Sequence, residues 1–137
     1  MPTSLKLPLV VSPTISNCRV GRILIDSGSS LDLLFINTLD EMQIPRSKIK
    51  PMTSPFYGIV LGMSVTPIGQ VVLPVTFGTT TNFRTELITF EVVDFESAYN
   101  AILGRPSLTK FMAATHHAYQ KIKITGPKGV IVVQGYW

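Results

Sequence analysis

Apolar positions along this chain fall mostly into short runs and period-two alternations, so the pattern predicts strands far more often than helices. Leu5 to Val11 is an apolar run rich in β-formers. Thr14-Ile15 then leads to Ser16-Asn17, a pair suited to a turn, and Cys18 to Ile25 predicts the returning strand of a hairpin. Leu31 to Phe35 predicts a short buried strand. Asn37 is placed to cap a small helix with Leu39 and Met42 on one face, which Pro45 stops, and Lys48 to Pro55 reads as loop. Between Phe56 and Gly69, glycines at 58, 62 and 69 interrupt the apolar residues Ile59, Val60, Leu61 and Val65. That spacing predicts a mobile hairpin rather than a core element.

From Val71 the alternation is regular, with Val71, Leu73, Val75 and Phe77 on one face. Pro74 removes a ladder donor there and predicts an edge strand or a bulge. Gly78 to Asn82 reads as a turn, and Phe83 to Val93 as a long strand with Ile88, Phe90 and Val92 sharing a face. After an irregular stretch from Asp94 to Asn100, Ala101-Ile102-Leu103-Gly104 is a second short apolar strand ending on glycine. Pro106 suits the first turn of a helix in which Leu108, Phe111 and Met112 recur at i, i+3 and i+4. The tail predicts a hairpin, Ala118 to Ile124 and Val130 to Gln134, joined by Thr125-Gly126-Pro127-Lys128-Gly129. The sum is one all-β domain over residues 1–137 with two small helices, without repeats or a low-complexity linker.

Composition narrows the function classes. Hydrophobic residues make up 45% of the 137 and charged residues 15%, which suits a compact unit with sizeable interfaces. The net charge of +4 is spread without a basic run, which argues against nucleic-acid binding. No apolar stretch approaches the ~20 residues that span a bilayer, and no signal peptide opens the chain. Cys18 is the single cysteine; it has no partner for an internal disulfide and no companions for a zinc site, so a reducing, cytoplasmic setting is expected. Lys121, Lys123 and Lys128 read as a solvated hairpin face. His116 and His117, adjacent on a predicted strand, point to opposite faces with no further ligand-type residue near them.

One segment carries candidate chemistry. Arg22-Ile23-Leu24-Ile25 runs into Asp26-Ser27-Gly28-Ser29-Ser30, so a stiff apolar strand delivers a carboxylate to a tight loop. Taken alone, such an Asp also reads as a turn residue held by local hydrogen bonds. A single carboxylate cannot run both acid and base chemistry on an amide, and Asp-Ser-Gly occurs once. The chain therefore either pairs with a second copy or performs no such chemistry.

The order of apolar strand, Asp26-Ser27-Gly28-Ser29, glycine-rich hairpin, and Ala101-Ile102-Leu103-Gly104-Arg105 followed by a helix resembles the retropepsin-like aspartic proteases, from about Val11 to Val133. Ile36-Asn37-Thr38-Leu39-Asp40, Pro74-Val75-Thr76-Phe77-Gly78, Phe90-Glu91-Val92-Val93-Asp94-Phe95 and Tyr99-Asn100-Ala101-Ile102-Leu103-Gly104-Arg105-Pro106 look like the protease region of plant gypsy-type LTR retrotransposon polyproteins.

The resemblance implies a closed, retropepsin-like β-barrel active as a symmetric homodimer. Its function would be that of an aspartic endopeptidase cutting a Gag-Pol-like polyprotein, in the cytoplasm or inside virus-like particles. Two carboxyls ~3 Å apart cannot both ionise; sharing one proton, they activate a water and polarise the peptide carbonyl without a metal or organic cofactor. On this likeness Asp26 is catalytic and Ser27, Gly28 and Ser29 form its loop. Ser27 bonds the partner's loop, Gly28 permits close approach, and the Ser29 hydroxyl donates to the Asp26 carboxylate, which favours an acidic optimum. Ser30, Tyr57, Gly58, Ile59 and Val60 contact an extended polypeptide substrate. The Tyr57 to Gly69 hairpin acts as a flap, and Leu31 and Leu33 add to an apolar lining. Ile102, Leu103 and Gly104 pack under the loop and Arg105 braces it, with Asp32 as its acidic partner because Ser30 occupies the usual acidic position. Either Leu5 to Val11 or Val130 to Trp137 supplies the dimer strands. A recruited, inactive peptide-binding or dimerisation module of the same fold is the alternative.

Overall fold

The computed structural model describes residues 8–51, 58–60 and 63–136, with 58–60, 63 and 64 described as backbone only. Its elements are β1 (Leu9–Val11), β2 (Thr14–Ile15), β3 (Cys18–Arg19), β4 (Ile23–Ile25), β5 (Leu33–Phe35), α1 (Ile36–Glu41), β6 (Gly58–Val60) and β7 (Met63–Val65). These are followed by β8 (Gly69–Gly78), β9 (Phe83–Val93), β10 (Ala101–Leu103), α2 (Arg105–Phe111), β11 (Ala114–His116), β12 (Lys121–Gly126) and β13 (Gly129–Gln134). Among the described residues eight strands form one curled half-barrel sheet in the order β1-β4-β10-β5-β9-β8-β2-β3. A three-stranded sheet β11-β12-β13 and the separate hairpin β6-β7 complete the strand inventory.

The short strands β1, β4, β5 and β10 are apolar at every position because both of their faces are covered. Leu9, Val11, Ile23, Ile25, Leu34, Ala101 and Leu103 join the main core with Phe90 and Phe111. The alternate residues Val10, Leu24, Leu33, Phe35 and Ile102 form a second cluster with Leu31, Val93 and Val65 of β7, on the face toward the hairpin. β8 and the far half of β9 are covered on one face only, and they show the alternation the sequence predicts, with Val71, Leu73, Val75 and Phe77 buried.

Pro74 sits in an interior strand, not at an edge or bulge. Its carbonyl accepts Ser16 N–H at 2.8 Å, so its nitrogen faces the same side, where the two-residue strand β2 has already turned. No ladder bond to β9 is lost. The expected single strand Cys18 to Ile25 is broken instead: Arg22 adopts φ 51, β3 pairs with β2, and β4 swings across to pair with β1 and β10. Asn37 does not cap α1, whose N-cap is Phe35 without a side-chain bond, and Gln43 at φ 60 ends the helical course before Pro45. Met112 adopts φ 49 just after α2 and is 72% exposed, so Phe111 and the half-buried Leu108 carry that helix's apolar packing. His117 begins a 3-10 turn through Tyr119, and Gln120 at φ 54 delays the tail hairpin to Lys121; the two histidines therefore do not share a strand. The predicted Leu5 to Val11 strand is described from Leu9 onward.

Candidate active site

Asp26 follows directly on β4, which runs parallel to β10 with Leu24 opposite Ile102 and Ile25 opposite Leu103. The Asp26 N–H donates to Leu103 O at 2.9 Å, extending that ladder one residue into the loop. Ser29 N–H closes the turn on Asp26 O at 3.1 Å, and Gly28 N–H donates to Asp26 Oδ1 at 3.0 Å. Asp26 Oδ2 is buried and has no hydrogen-bond partner among the described residues, while Ser27 and Gly28 form an exposed tip beside it.

Gly104 fits under the loop only because it lacks a side chain. A Cβ there would collide with Leu31 O, lie 2.7 Å from Ser29 O and 3.0 Å from Ser29 Cβ. Arg105 N–H donates to Ser29 O at 2.9 Å, so loop and turn are registered by main chain on both sides. Arg105 braces the loop through this amide, and its exposed side chain is not held by Asp32 as expected. The Asp32 carboxylate, 4% exposed, instead accepts Gly104 N–H at 2.8 Å and Ser107 N–H at 3.4 Å through Oδ1. Burial pushes Asp32 from its ordinary 3.8 up to about 6. The nearby Ser107 hydroxyl and the two amides favour the charged form, and Glu91 opposes it. The Ser107 hydroxyl lies close enough to act on the Asp32 charge, yet it forms no well-directed hydrogen bond among the described residues. Burial also pushes Glu91 up, partly offset by the Gln70 amide that donates to it at 3.1 Å.

Ser29 departs from expectation as well. Its fully buried hydroxyl donates to Leu31 O at 2.7 Å and accepts Leu31 N–H at 3.3 Å, so it tightens the loop and does not donate to Asp26. Once committed to the adjacent main chain, it cannot supply the acidifying bond the resemblance implied. Ser30 is half-buried at the end of the turn. Gly58, Ile59 and Val60 lie in β6, paired with Val65, Ser64 and Met63, while Tyr57 lies outside the described residues. Leu31 and Leu33 belong to the cluster that Val65 of this hairpin joins, so the hairpin's base packs on the face that carries the loop.

Arg84 gave no signal in the sequence. Its guanidinium pairs with Glu86 at 3.0 Å, donates to Lys110 O at 3.0 Å and Phe111 O at 2.9 Å, and stacks over the Phe111 ring, fixing the end of α2. Tyr136 is similar: its hydroxyl accepts Arg22 N–H at 2.6 Å and Ser12 Oγ–H at 2.9 Å, while its own N–H donates to Val10 O. Among the described residues no three His, Cys, Asp or Glu side chains gather as a metal site, and no helix is long and apolar enough to cross a membrane.

Neither a family model nor a curated protein matches this sequence. Solved structures do. The retroviral protease-like domain of Ddi1 from Leishmania major superimposes with a TM-score of 0.69 at 16% identity, over 96% of this chain and 95% of that one. At that identity the likeness establishes the fold, which is retropepsin-like.

Proposed function

We propose that this chain is an aspartic endopeptidase working as a symmetric homodimer, with Asp26 of each protomer meeting at the two-fold axis. The observation that carries this reading is the carboxylate itself. It is delivered by a buried strand, held by main-chain bonds, and has one buried oxygen unpartnered among the described residues, beside an exposed Ser27-Gly28 tip. A second copy of the same loop would bring a Ser27 hydroxyl, and the other acid, to that opening. The two carboxyls would then titrate as a coupled pair. One, ionised, takes a proton from water as it attacks the peptide carbonyl, and the other, protonated, donates to the carbonyl oxygen.

The β6-β7 hairpin acts on this reading as a flap that closes over substrate and excludes water. An extended polypeptide lies beneath it, bound by main-chain hydrogen bonds, and its side chains meet the apolar cluster around Leu31 and Leu33. Closure of the half-barrel, the Gag-Pol-like polyprotein as substrate, an origin in a plant gypsy-type retrotransposon and a cytoplasmic or particle-enclosed location belong to the same proposal, on the sequence resemblance. Sedimentation would give the mass in solution, and cleavage of an unfolded protein at acidic pH would be followed with and without a transition-state-mimic inhibitor of aspartic proteases. The expected result is an inhibitor-sensitive dimer whose Asp26→Asn variant still dimerises and cleaves nothing. Residual turnover in that variant, or activity in a monomer, would refute the mechanism; an inert dimer would point to a binding module.

A further inference from the structure

We propose that Asp32 is the positioning residue of this site: by accepting the Gly104 and Ser107 amides, it fixes the turn against which the Asp26 loop is registered. This deepens the peptidase reading and rests on it for its kinetic part. Three links carry the argument. Gly104 presses on Ser29 and Leu31 with no room for a Cβ, so the loop follows any shift of that turn. Arg105 N–H and Leu103 O, on either side of Gly104, bond Ser29 O and Asp26 N–H, so the same turn grips both ends of the loop. The Asp32 carboxylate Oδ1, reaching across from a position 72 residues earlier in the chain, is what anchors the turn itself. If that acceptor were lost, two buried amides would be unmet and the turn would be free to shift.

The charged surroundings make the anchor responsive to pH. Glu91 of β9 is the charged side chain acting on Asp32, and it is also an acid. α2 presents its amides, while its Arg105 and Lys110 are exposed; β5 and β10 carry no titratable side chains; the loop contributes Asp26. Protonation replaces a charged acceptor with a neutral one, and charge-assisted hydrogen bonds are the stronger kind. Burial sets this exchange near pH 6.

Amide resonances of the full chain, followed from pH 4 to 8 in wild type, Asp32→Asn and Asp32→Ala, test the idea without requiring activity. Asparagine keeps a carbonyl oxygen in place but cannot titrate. Gly104 and Ser107 should shift in wild type with a midpoint near about 6, and Gly28 and Ser29 should shift with them; this component should be absent from Asp32→Asn. Movement at Gly104 and Ser107 that leaves Gly28 and Ser29 still would reduce Asp32 to a core acid and overturn the proposal. In the cleavage assay Asp32→Ala should lose on the order of tenfold or more in kcat with KM little changed, and Asp32→Asn should recover most of it. A loss confined to KM, or one that a folded Asp32→Asn fails to rescue, would also overturn it. If wild type cleaves nothing, the peptidase reading fails alone and the amide titration still decides. An Asp32→Ala chain that does not fold leaves the decision to Asp32→Asn.

Discussion

Replacing Asp32 by Asn should flatten the pH dependence of folding stability, in a direction opposite to that of most carboxylates. In an unfolded chain the group titrates near 3.8; in the folded protein burial holds it near about 6. A carboxyl raised in the fold contributes stability that is fully present below the unfolded value and lost as pH rises through the folded one. The rise corresponds to ~3 kcal/mol, with the group buried enough that solvent screening takes little from it. Glu91, also pushed up, slopes the same way in both proteins, so the quantity to read is wild type minus variant. Urea unfolding at fixed protein concentration, from pH 4 to 7.5, would supply it. Relative to Asp32→Asn, wild type should lose ~2.5 kcal/mol of this across that interval, since the unfolded group is already partly ionised at pH 4; that is about 8 °C in Tm. A difference that stays flat within about 1 kcal/mol, or one that grows in favour of wild type with rising pH, would refute the assignment. The second outcome would mean that the Gly104 and Ser107 amides outweigh burial.

Gly104→Ala should destabilise by ~2–3 kcal/mol, because the added methyl meets the main-chain oxygens of Ser29 and Leu31; chemical denaturation and the dispersion of loop amides would register it. Arg84→Ala leaves the last carbonyls of α2 and the Glu86 carboxylate without their donor and should cost ~2 kcal/mol, with exchange at α2 amides rising before that at β9. Tyr136→Phe removes the acceptor of Arg22 N–H and should cost ~1 kcal/mol in thermal unfolding, with the secondary structure unchanged.

What the sequence discloses here is what neighbouring residues decide. The Val71 to Phe77 alternation, the Ser16-Asn17 turn and the double-faced burial of Ile23-Leu24-Ile25 and Ala101-Ile102-Leu103 are local or set by one face of one sheet, and each stands where the pattern puts it. Predictions that depended on a distant partner fared differently. The Arg22 amide at the break is met by a tyrosine hydroxyl 114 residues away, and Pro74 is tolerated inside the sheet because a hairpin elsewhere ends opposite it. At the site, the strand, the aspartate and the supporting Ile102-Leu103-Gly104 were legible. The direction of the Ser29 hydroxyl was not, since two acceptors compete for it and only the packed loop chooses. For Asp32 the sequence offers Arg105 as a partner, whereas the fold supplies the Gly104 and Ser107 amides, because an arginine is visible in a sequence while a buried amide is not.

The strand that delivers Asp26 pairs in parallel with residues 101–103, and the brace beneath it begins at Gly104. Contacts separated by so much chain form slowly, after local hairpins have already closed. A polypeptide emerging residue by residue would therefore carry its acid early but hold it in a loose, unaligned loop until about three quarters of the domain had been made. On the peptidase reading, competence would come only with the long-range closure of the central sheet, late in folding.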